Sequence, residues 1–207
     1  MDIEENQNPN PGEDGSLKAV GSFLWDLLKI FIIALVIIIP FRIFVAEPFV
    51  VSGSSMLPNF HNGDYLIVDR LTYRFSPPAR GDVIVLKYPK DTSQFFIKRI
   101  IGLPGDKVCF SPDCKTGDQD GHVYIFNSQY PQGFRLNESY IPAGVETLGQ
   151  SMNQPLGSDE YFVLGDNRTA SSDSRIWGIL PADDIVGRVW LRVFPPEDAG
   201  IIRTPAY

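Results

Sequence analysis

Hydrophobic residues form one long block near the N-terminus and a series of short runs after residue 46. The long block includes residues 30–41, twelve positions in a row without a charge. In a helix that rises about 1.5 Å per residue, this stretch reaches about 18 Å, short of the roughly 30 Å hydrocarbon core of a bilayer. A helix over 24–46 is long enough, and its three charged residues lie near its ends, where they can reach the head groups. The pattern predicts one membrane-spanning helix within residues 22–46.

A cleaved signal peptide and a buried amphipathic helix are the alternatives for this block. A signal peptide needs a basic start and small residues before its cleavage point. Residues 1–21 instead carry five acidic residues and a single lysine, Lys18. Phe44 would occupy position −3 of a site ending at Ala46, and it is too bulky there. We therefore expect a retained anchor, preceded by a polar segment over 1–21 that is predicted to be disordered.

The runs after residue 46 are short, rich in β-branched and aromatic residues, and bounded by turn residues. The chain has 18 glycines and 17 prolines, and no helical pattern of three turns separates the runs. We predict a mainly β fold: an antiparallel, barrel-like sheet domain after one transmembrane helix, with a small inserted β subdomain. The strand-like runs are residues 49–52, 65–68, 82–87, 94–101, 122–126, 160–164 and 185–194.

Composition also suggests where the domain is divided. Segment 108–159 is richer in Gly, Pro, Asn and Gln than its flanks and is predicted to be the inserted subdomain. It separates the two parts of the main β domain, 47–107 and 160–195. Residues 196–207 are expected to form a C-terminal tail.

Charge and residue counts limit the chemistry. With 18 basic and 25 acidic residues the net charge is −7, and no long basic run is present, so a nucleic-acid partner is not expected. The two cysteines cannot make a four-thiolate zinc site, and His61 and His122 lie far from them in sequence. We expect no metal and no organic cofactor. A hydrolytic mechanism would have to find its base in another residue type.

Cys109 and Cys114 close a small loop, and we favour a disulfide between them over two free thiols. A disulfide would place the C-terminal 160 residues in an oxidising compartment. Lys18 and Lys29 precede the apolar core of the anchor, and Arg42 follows it. Because positive residues tend to remain on the cytoplasmic side, this distribution weakly favours a cytoplasmic N-terminus. We therefore expect a single-pass protein with its main domain on the outer or periplasmic side of a plasma or thylakoid membrane.

Three polar stretches contain residue types used in catalysis, although each also has an ordinary structural explanation. Serines and a glycine before Pro58 are typical of a turn, and a strand lysine is usually a solvated edge residue. Lys98, however, would share a strand face with Phe96 and Ile100, an apolar setting that disfavours the ammonium form. Residues 165–175 are by themselves typical of a solvated turn with an ion pair. The three stretches are residues 52–58, 95–101 and 165–175.

Together these stretches resemble the type I signal (leader) peptidases, membrane-anchored serine proteases of the S26 type with a Ser–Lys dyad. The S-M-x-P motif of that family is matched by residues 55–58, and K-R-x-x-G-x-P-G-D is matched by 98–106. G-D-N-R followed by S-x-D-S-R is matched within 165–175, and a fourth family segment by 80–83. The matches occur in the family's order across residues 45–195.

The resemblance implies a role for each matched residue. Ser55 would be the nucleophile and Lys98 its general base, which has to be neutral to accept the proton. A lysine with an ordinary pKa of about 10.4 would be neutral in only about one molecule in a thousand near pH 7, so burial must lower that pKa. Ser171 would orient the lysine by a hydrogen bond. Asp173 and Arg175, on one face if extended, would form a supporting ion pair.

The same resemblance leaves part of the site unassigned. Asp166 and Arg168 would hold the loop that carries Ser171. In some family members a serine at the position of Gly53 donates its hydroxyl to the developing oxyanion. Here the backbone N–H of Ser55 would be the donor. A second donor has no candidate. Thr169 and the following alanine also depart from the usual residues of that loop.

Substrate recognition would follow from strand pairing. An extended signal peptide could pair with the edges formed by residues 49–53 and 95–98. Shallow apolar pockets would accept small side chains at positions −1 and −3. The implied partners are preproteins that carry signal peptides, and the lipid bilayer. The residues expected to form the substrate site are Val51, Gly53, Met56, Phe96 and Ile97.

Two other functions remain as alternatives. A self-cleaving Ser–Lys protease related to the SOS repressors shares the dyad, but it predicts a DNA-binding helical domain where residues 1–46 offer a membrane span. A membrane-tethered binding protein with a decayed protease site is the second. The intact set of matched residues, Ser55, Lys98, Ser171, Asp173 and Arg175, argues against decay.

Overall fold

A computed structural model describes residues 13–44, 46–111, 113–114, 121–205 and 207. The chain divides into two compact units, residues 1–43 and 44–207. The first unit contains one helix, α1 (Glu13–Phe44). Within it, Val20–Ile39 is long and apolar enough to cross a membrane, and none of this segment is buried. These properties are consistent with the predicted anchor.

Helix α1 begins earlier than the sequence predicts. Its first residues, 13–21, belong to the polar segment for which composition predicts disorder. Once a long apolar segment has formed a helix, each added residue contributes one more hydrogen bond without a new nucleation cost, so polar residues can join its end. The rest of the predicted disordered segment, residues 1–12, lies outside the described residues.

The second unit consists of antiparallel β-sheets, which confirms the predicted fold class. The strands are β1 (Ala46–Val50), β2 (Tyr65–Asp69), β3 (Val83–Tyr88), β4 (Asp91–Gly102), β5 (Lys107–Phe110), β6 (Val123–Phe126), β7 (Phe134–Arg135), β8 (Glu160–Leu164), β9 (Leu180–Pro181), β10 (Ile185–Phe194) and β11 (Gly200–Ile201). In the larger sheet the strand order is β1-β2-β10-β3-β4-β8-β9, with β11 also paired to β10, and a smaller sheet has the order β5-β6-β7. A short helix, α2 (Ser174–Trp177), follows β8.

Strand β4 connects the three hydrophobic cores of this unit. Its first half is exposed and its last five residues are buried. Because side chains alternate along a strand, β4 can contribute to more than one packing layer. Ile97 packs with the core beneath β1 and β2, Ile100 with the core near α2, and Ile101 with the core of the smaller sheet. This packing fixes the position of the intervening Lys98.

Two strand edges remain unpaired where the substrate was predicted to bind. β1 lies at one end of the larger sheet and, in the part of the chain that the structure describes, pairs only with β2. β4 pairs with β3 over most of its length, but with β8 only from Arg99 onward. Within the described residues, segment 95–98 therefore has a free edge.

The segment predicted to be an insertion contains the smaller sheet and shares a core with the main sheet. Val108, Val123 and Ile125 pack against residues of β4 and β8. Cys109 and Cys114 are joined by a disulfide, with their Cα atoms 5.6 Å apart.

The described residues of the last segment, 196–205 and 207, pack onto the domain, although the sequence suggests a tail. β11 pairs with β10. The Thr204 hydroxyl donates a hydrogen bond of 2.7 Å to Asp82. The ring of Tyr207 lies against Gly81, where a Cβ would come within 2.6 Å of it.

Candidate active site

The loop that follows β1 presents Ser55, and two hydrogen bonds hold the residues that precede it. The Val51 N–H donates to the Asp64 carbonyl at 2.9 Å, and the Gly53 N–H donates to Oδ1 of Asn62 at 3.0 Å. Gly53 has φ of +97°, a conformation that favours glycine, which explains a glycine at this position. After Ser55 the chain turns back into the domain.

The side chain of Lys98 reaches Ser55 from strand β4. Its Nζ donates hydrogen bonds of 2.8 Å to Ser55 Oγ and 2.8 Å to the carbonyl of Ile97. The lysine is only 3% exposed, and Nζ lies 5.2 Å from the centroid of the Phe96 ring. The structure therefore brings together the two residues that the resemblance names as the catalytic pair.

Burial lowers the pKa of Lys98 to about 8 from its ordinary value of 10.5. The cause is desolvation, because an ammonium group loses its hydration in an apolar site. The negative charges of Asp173 and Asp166 oppose this effect and hold the pKa above the value that burial alone would produce. The amine is thus tuned toward the neutral form near physiological pH.

Asp166 is held by an arginine next to the lysine. Arg99 donates to its two carboxylate oxygens, from Nε at 2.8 Å and from Nη2 at 2.6 Å. Side chains alternate along β4, so Arg99 points away from Lys98 and toward the far side of the sheet. The Asn59 side chain adds a 2.8 Å hydrogen bond to Asp166, and the guanidinium of Arg99 lies 4.0 Å from the ring centroid of Tyr140. The sequence did not indicate Asn59 or Arg99 as supporting residues.

Arg168 is bound to Glu138 rather than to Asp166. Its guanidinium forms a salt bridge with Glu138, which lies after β7, and its Nε donates to the Gly165 carbonyl at 3.1 Å. Arg168 is 3% exposed. Asp166 and Arg168, which the resemblance places in the support of this loop, therefore each bind a separate partner.

Asn167 links the same loop to the peptide chain at Ser55. Its backbone N–H donates to the Ser55 carbonyl at 3.0 Å, and its side-chain Nδ2 donates to the Ser54 carbonyl at 3.1 Å. Asn167 was not among the residues indicated by the sequence, because its role depends on a contact across more than 100 residues of chain.

Asp173 and Arg175 form the expected ion pair, and they do so at a helical turn rather than in an extended segment. Asp173 is the N-cap of α2, and Arg175 lies in the first turn of that helix. Nε and Nη2 of Arg175 each donate to the Asp173 carboxylate at 2.8 Å, and the Gly165 N–H donates to it at 3.0 Å. Burial by itself raises the pKa of Asp173, but these hydrogen bonds and the arginine charge outweigh it, so the pKa is lowered.

Ser171 does not make the hydrogen bond to Lys98 that the resemblance implies. Its Oγ is buried beside the Asp173 carboxylate and has no hydrogen bond of normal geometry with any described residue. The physical reason is its packing against Gly165: Oγ lies 2.1 Å from the position that a Cβ on this glycine would occupy.

A cleft of about 270 Å³ opens beside the Ser55–Lys98 pair. Val51, Phe96 and Ile97 line it, as the sequence predicts. Met56 does not line it: the turn after Ser55 directs this side chain into the core, where it is 1% exposed. Gly53, also predicted, is exposed and outside the lining. Phe49, Val50, Ser52 and Phe95, from the two strand edges expected to pair with the substrate, also line it. The lining residues that the sequence did not indicate are Leu66, Val85 and Ser172.

Comparison with known proteins assigns the family. The family described as signal peptidase, peptidase S26, matches residues 24–194. A probable signal peptidase I-1 from Synechocystis is 37% identical over 185 residues, covering 86% of this chain and 86% of the relative. The signal peptidase I of Leptolyngbya laminosa is 34% identical over 207 residues, covering 96% of this chain and 94% of the relative. A signal peptidase I structure from Enterococcus faecalis has 28% identity and a TM-score of 0.42, covering 55% of this chain and 97% of that one.

The chain therefore belongs to the signal peptidase family, peptidase S26. This confirms the family resemblance drawn from the motifs. The protein is a serine endopeptidase, and its N-terminal apolar helix is consistent with the membrane anchoring of such enzymes.

Proposed function

We propose that this protein removes signal peptides from preproteins, with Ser55 as nucleophile and neutral Lys98 as general base. The observation that carries the proposal is the 2.8 Å hydrogen bond between Lys98 Nζ and Ser55 Oγ, at the wall of an apolar cleft. An amine whose pKa is about 8 is neutral in about a tenth of the molecules at pH 7. That neutral fraction is about 300-fold larger than for a solvated lysine of pKa 10.5.

The reaction follows from this geometry in two stages. Ser55 Oγ attacks the carbonyl carbon of the substrate residue at −1 while its proton moves to Lys98 Nζ. The resulting ammonium then donates that proton to the departing amine of the mature protein, and an acyl-enzyme remains. In the second stage Lys98 takes a proton from water, the hydroxyl attacks the ester carbonyl, and the proton returns to Ser55 Oγ. In both stages the backbone N–H of Ser55 stabilises the oxyanion.

The two free strand edges support binding of an extended peptide. A signal peptide between β1 and β4 would gain main-chain hydrogen bonds from both edges. Side chains at −1 and −3 lie on the same face of an extended chain, so both would enter the cleft. Its small volume and apolar lining, which includes Val51 and Phe96, suit alanine-sized residues.

The location of the protein is part of the same proposal. Helix α1 would cross the membrane once, with the N-terminus in the cytoplasm and the β unit on the outer side of a plasma or thylakoid membrane. The positive residues before the apolar core and the Cys109–Cys114 disulfide support this orientation. The lipid bilayer and signal-peptide-bearing preproteins would be its partners. We also retain the division of the β unit into a main domain, 47–107 and 160–195, and an insertion, 108–159.

The proposal is tested by cleavage of a model preprotein with the purified full chain in detergent. A precursor with alanine at −1 and −3 should be cut after the −1 residue, as shown by N-terminal sequencing of the product. A matched precursor with phenylalanine at both positions should be cut at least about 100-fold more slowly, because its side chains exceed the cleft and binding energy is lost in the transition state. Equal cleavage of both precursors, or cleavage by Ser55→Ala protein, would refute the proposed function.

The pKa of Lys98 predicts how activity depends on pH. The active form is the neutral amine, so kcat/KM should increase about tenfold per pH unit below pH 8 and level off above it. A pH profile of preprotein cleavage, recorded at constant ionic strength, checks this expectation. An inflection near pH 10, the value of a solvated lysine, would contradict the role of burial.

A further inference from the structure

The peptide group between Ser54 and Ser55 is held from its carbonyl side. Two donors converge on the Ser54 carbonyl oxygen: Nδ2 of Asn167 at 3.1 Å and the N–H of Leu57 at 3.2 Å. The first comes from the distant loop after β8, and the second from the local turn. This peptide group also contains the N–H of Ser55, the donor proposed for the oxyanion.

Fixing the carbonyl of a peptide group fixes the direction of its N–H. The group is planar and, for Ser54–Ser55, trans, so the two bonds point in opposite directions. A hydrogen bond to the carbonyl also polarises the amide and strengthens the N–H as a donor. No described residue accepts a hydrogen bond from the Ser55 N–H, so it is available to a substrate oxygen.

Asn167 is itself held firmly enough to act as such a support. Its backbone N–H donates to the Ser55 carbonyl at 3.0 Å, and its side-chain Oδ1 accepts a hydrogen bond of 3.1 Å from the Thr169 hydroxyl. The Thr169 contact orients the amide so that Nδ2 faces Ser54. The preceding residue, Asp166, is buried in its salt bridge with Arg99.

We propose that Asn167 is a positioning residue for the oxyanion site, and that it acts by orienting and polarising the Ser54–Ser55 peptide group without contacting the substrate. The inference rests on the proposed function, since it requires the Ser55 N–H to bind the oxyanion. This positioning of the Ser55 N–H matters because Gly53 has no hydroxyl to serve as a second donor. A single well-oriented N–H then provides more of the stabilisation of the oxyanion.

The test is Asn167→Ala, which removes the side-chain amide but keeps the backbone N–H that binds Ser55. We expect kcat to fall about tenfold, with KM within about twofold and the inflection of the pH profile unchanged, because Lys98 is not altered. A peptide aldehyde with alanine at the −1 and −3 positions adds to Ser55 and places an oxygen at the oxyanion site. Its inhibition constant should rise by the same factor as kcat falls. Asn153→Ala, at an exposed asparagine, is the matched control and should change none of these values.

A double-mutant cycle sharpens the assignment. Thr169→Val should lower kcat by a smaller factor in the parent protein, and should have no further effect once residue 167 is alanine. Unchanged kcat and aldehyde binding in Asn167→Ala, or a fall in kcat that comes with a shifted pH inflection, would overturn the inference. If Ser55→Ala retains activity, the proposed function itself fails; if only Asn167→Ala is without effect, this inference alone fails.

Discussion

Replacing Lys98 by methionine should reduce kcat/KM for preprotein cleavage by about 1,000-fold or more while the protein remains folded. Methionine fills a similar volume in the apolar pocket beside Phe96, but it cannot take the proton of Ser55. The measurement is cleavage of the alanine precursor by purified variants at matched concentrations. Lys87→Met, at an exposed lysine of the adjacent strand β3, is the control and should retain activity.

The same variant should not be less stable than the parent protein at pH 7. The pKa of Lys98 is about 8 in the folded state and 10.5 in an unfolded chain, so the unfolded chain binds more protons between these values. Below pH 8 both states carry the charge, and the cost of burying the ammonium is fully present. Methionine removes this cost, and its advantage should shrink as pH rises from 8 to about 10.5, where the parent lysine becomes neutral in both states.

Thermal unfolding midpoints at pH 7 and pH 10 measure this linkage. A Lys98→Met protein that cleaves at a nearly normal rate would refute the assignment of the general base. An inactive variant with a much lower midpoint would instead show that Lys98 has a structural role, and Ser55→Ala, which preserves the lysine, would then decide whether the pair is catalytic.

The short sequence motifs identify the centre of the candidate site because its chemistry depends on residue type and strand position. Lys98 between Phe96 and Ile100 follows the two-residue repeat of a strand, and the structure buries it as that repeat predicts. The strands β1 and β4 likewise follow from short apolar runs bounded by turn residues. These features are encoded within about ten residues of sequence, where local pattern is informative.

The supporting contacts could not be predicted in the same way because they join distant parts of the chain. Arg99 and Asp166 are 67 positions apart, and Arg168 pairs with Glu138 from the segment predicted as an insertion. Each carboxylate had several basic residues as candidate partners, and only the packing of the strands selects among them. The direction of Met56 also depends on packing, since a loop has no regular side-chain repeat.

The helix N-cap at Asp173 is a local signal that the sequence-based prediction does not include. Asp173 is followed by a single helical turn, and an aspartate before such a turn is a common N-cap. The ion pair with Arg175 therefore forms in a helical turn, not in the extended segment that would also place both side chains on one face. The position of Ser171 Oγ against Gly165, away from a hydrogen bond with Lys98, could not have been expected from sequence, because it depends on tertiary packing.

That contact leads to the second prediction: Gly165→Ala should lower kcat/KM by about 100-fold. A Cβ on Gly165 would lie 2.1 Å from Ser171 Oγ and 2.5 Å from the backbone carbonyl oxygen of Ser55. Rotation of the Ser171 side chain would move Oγ but not its Cβ, which also lies 2.5 Å from the added Cβ. The Ser55 carbonyl is part of the main chain and is hydrogen bonded to Asn167. Accommodating the methyl group must therefore move the nucleophile, and a displacement of about 1 Å at a catalytic group can cost about 100-fold.

We expect Gly165→Ala to lower the free energy of unfolding only moderately, although it lowers kcat/KM strongly. Overpacking a buried position costs about 1–3 kcal/mol, which leaves most of such a protein folded at 25 °C. Gly200→Ala is the matched control, since no atom lies within 4 Å of a Cβ at that position. Both variants should be compared by thermal unfolding and by preprotein cleavage. If Gly165→Ala cleaves as fast as Gly200→Ala, then Ser55 does not depend on this close approach, and the loop after β8 does not hold the nucleophile in place.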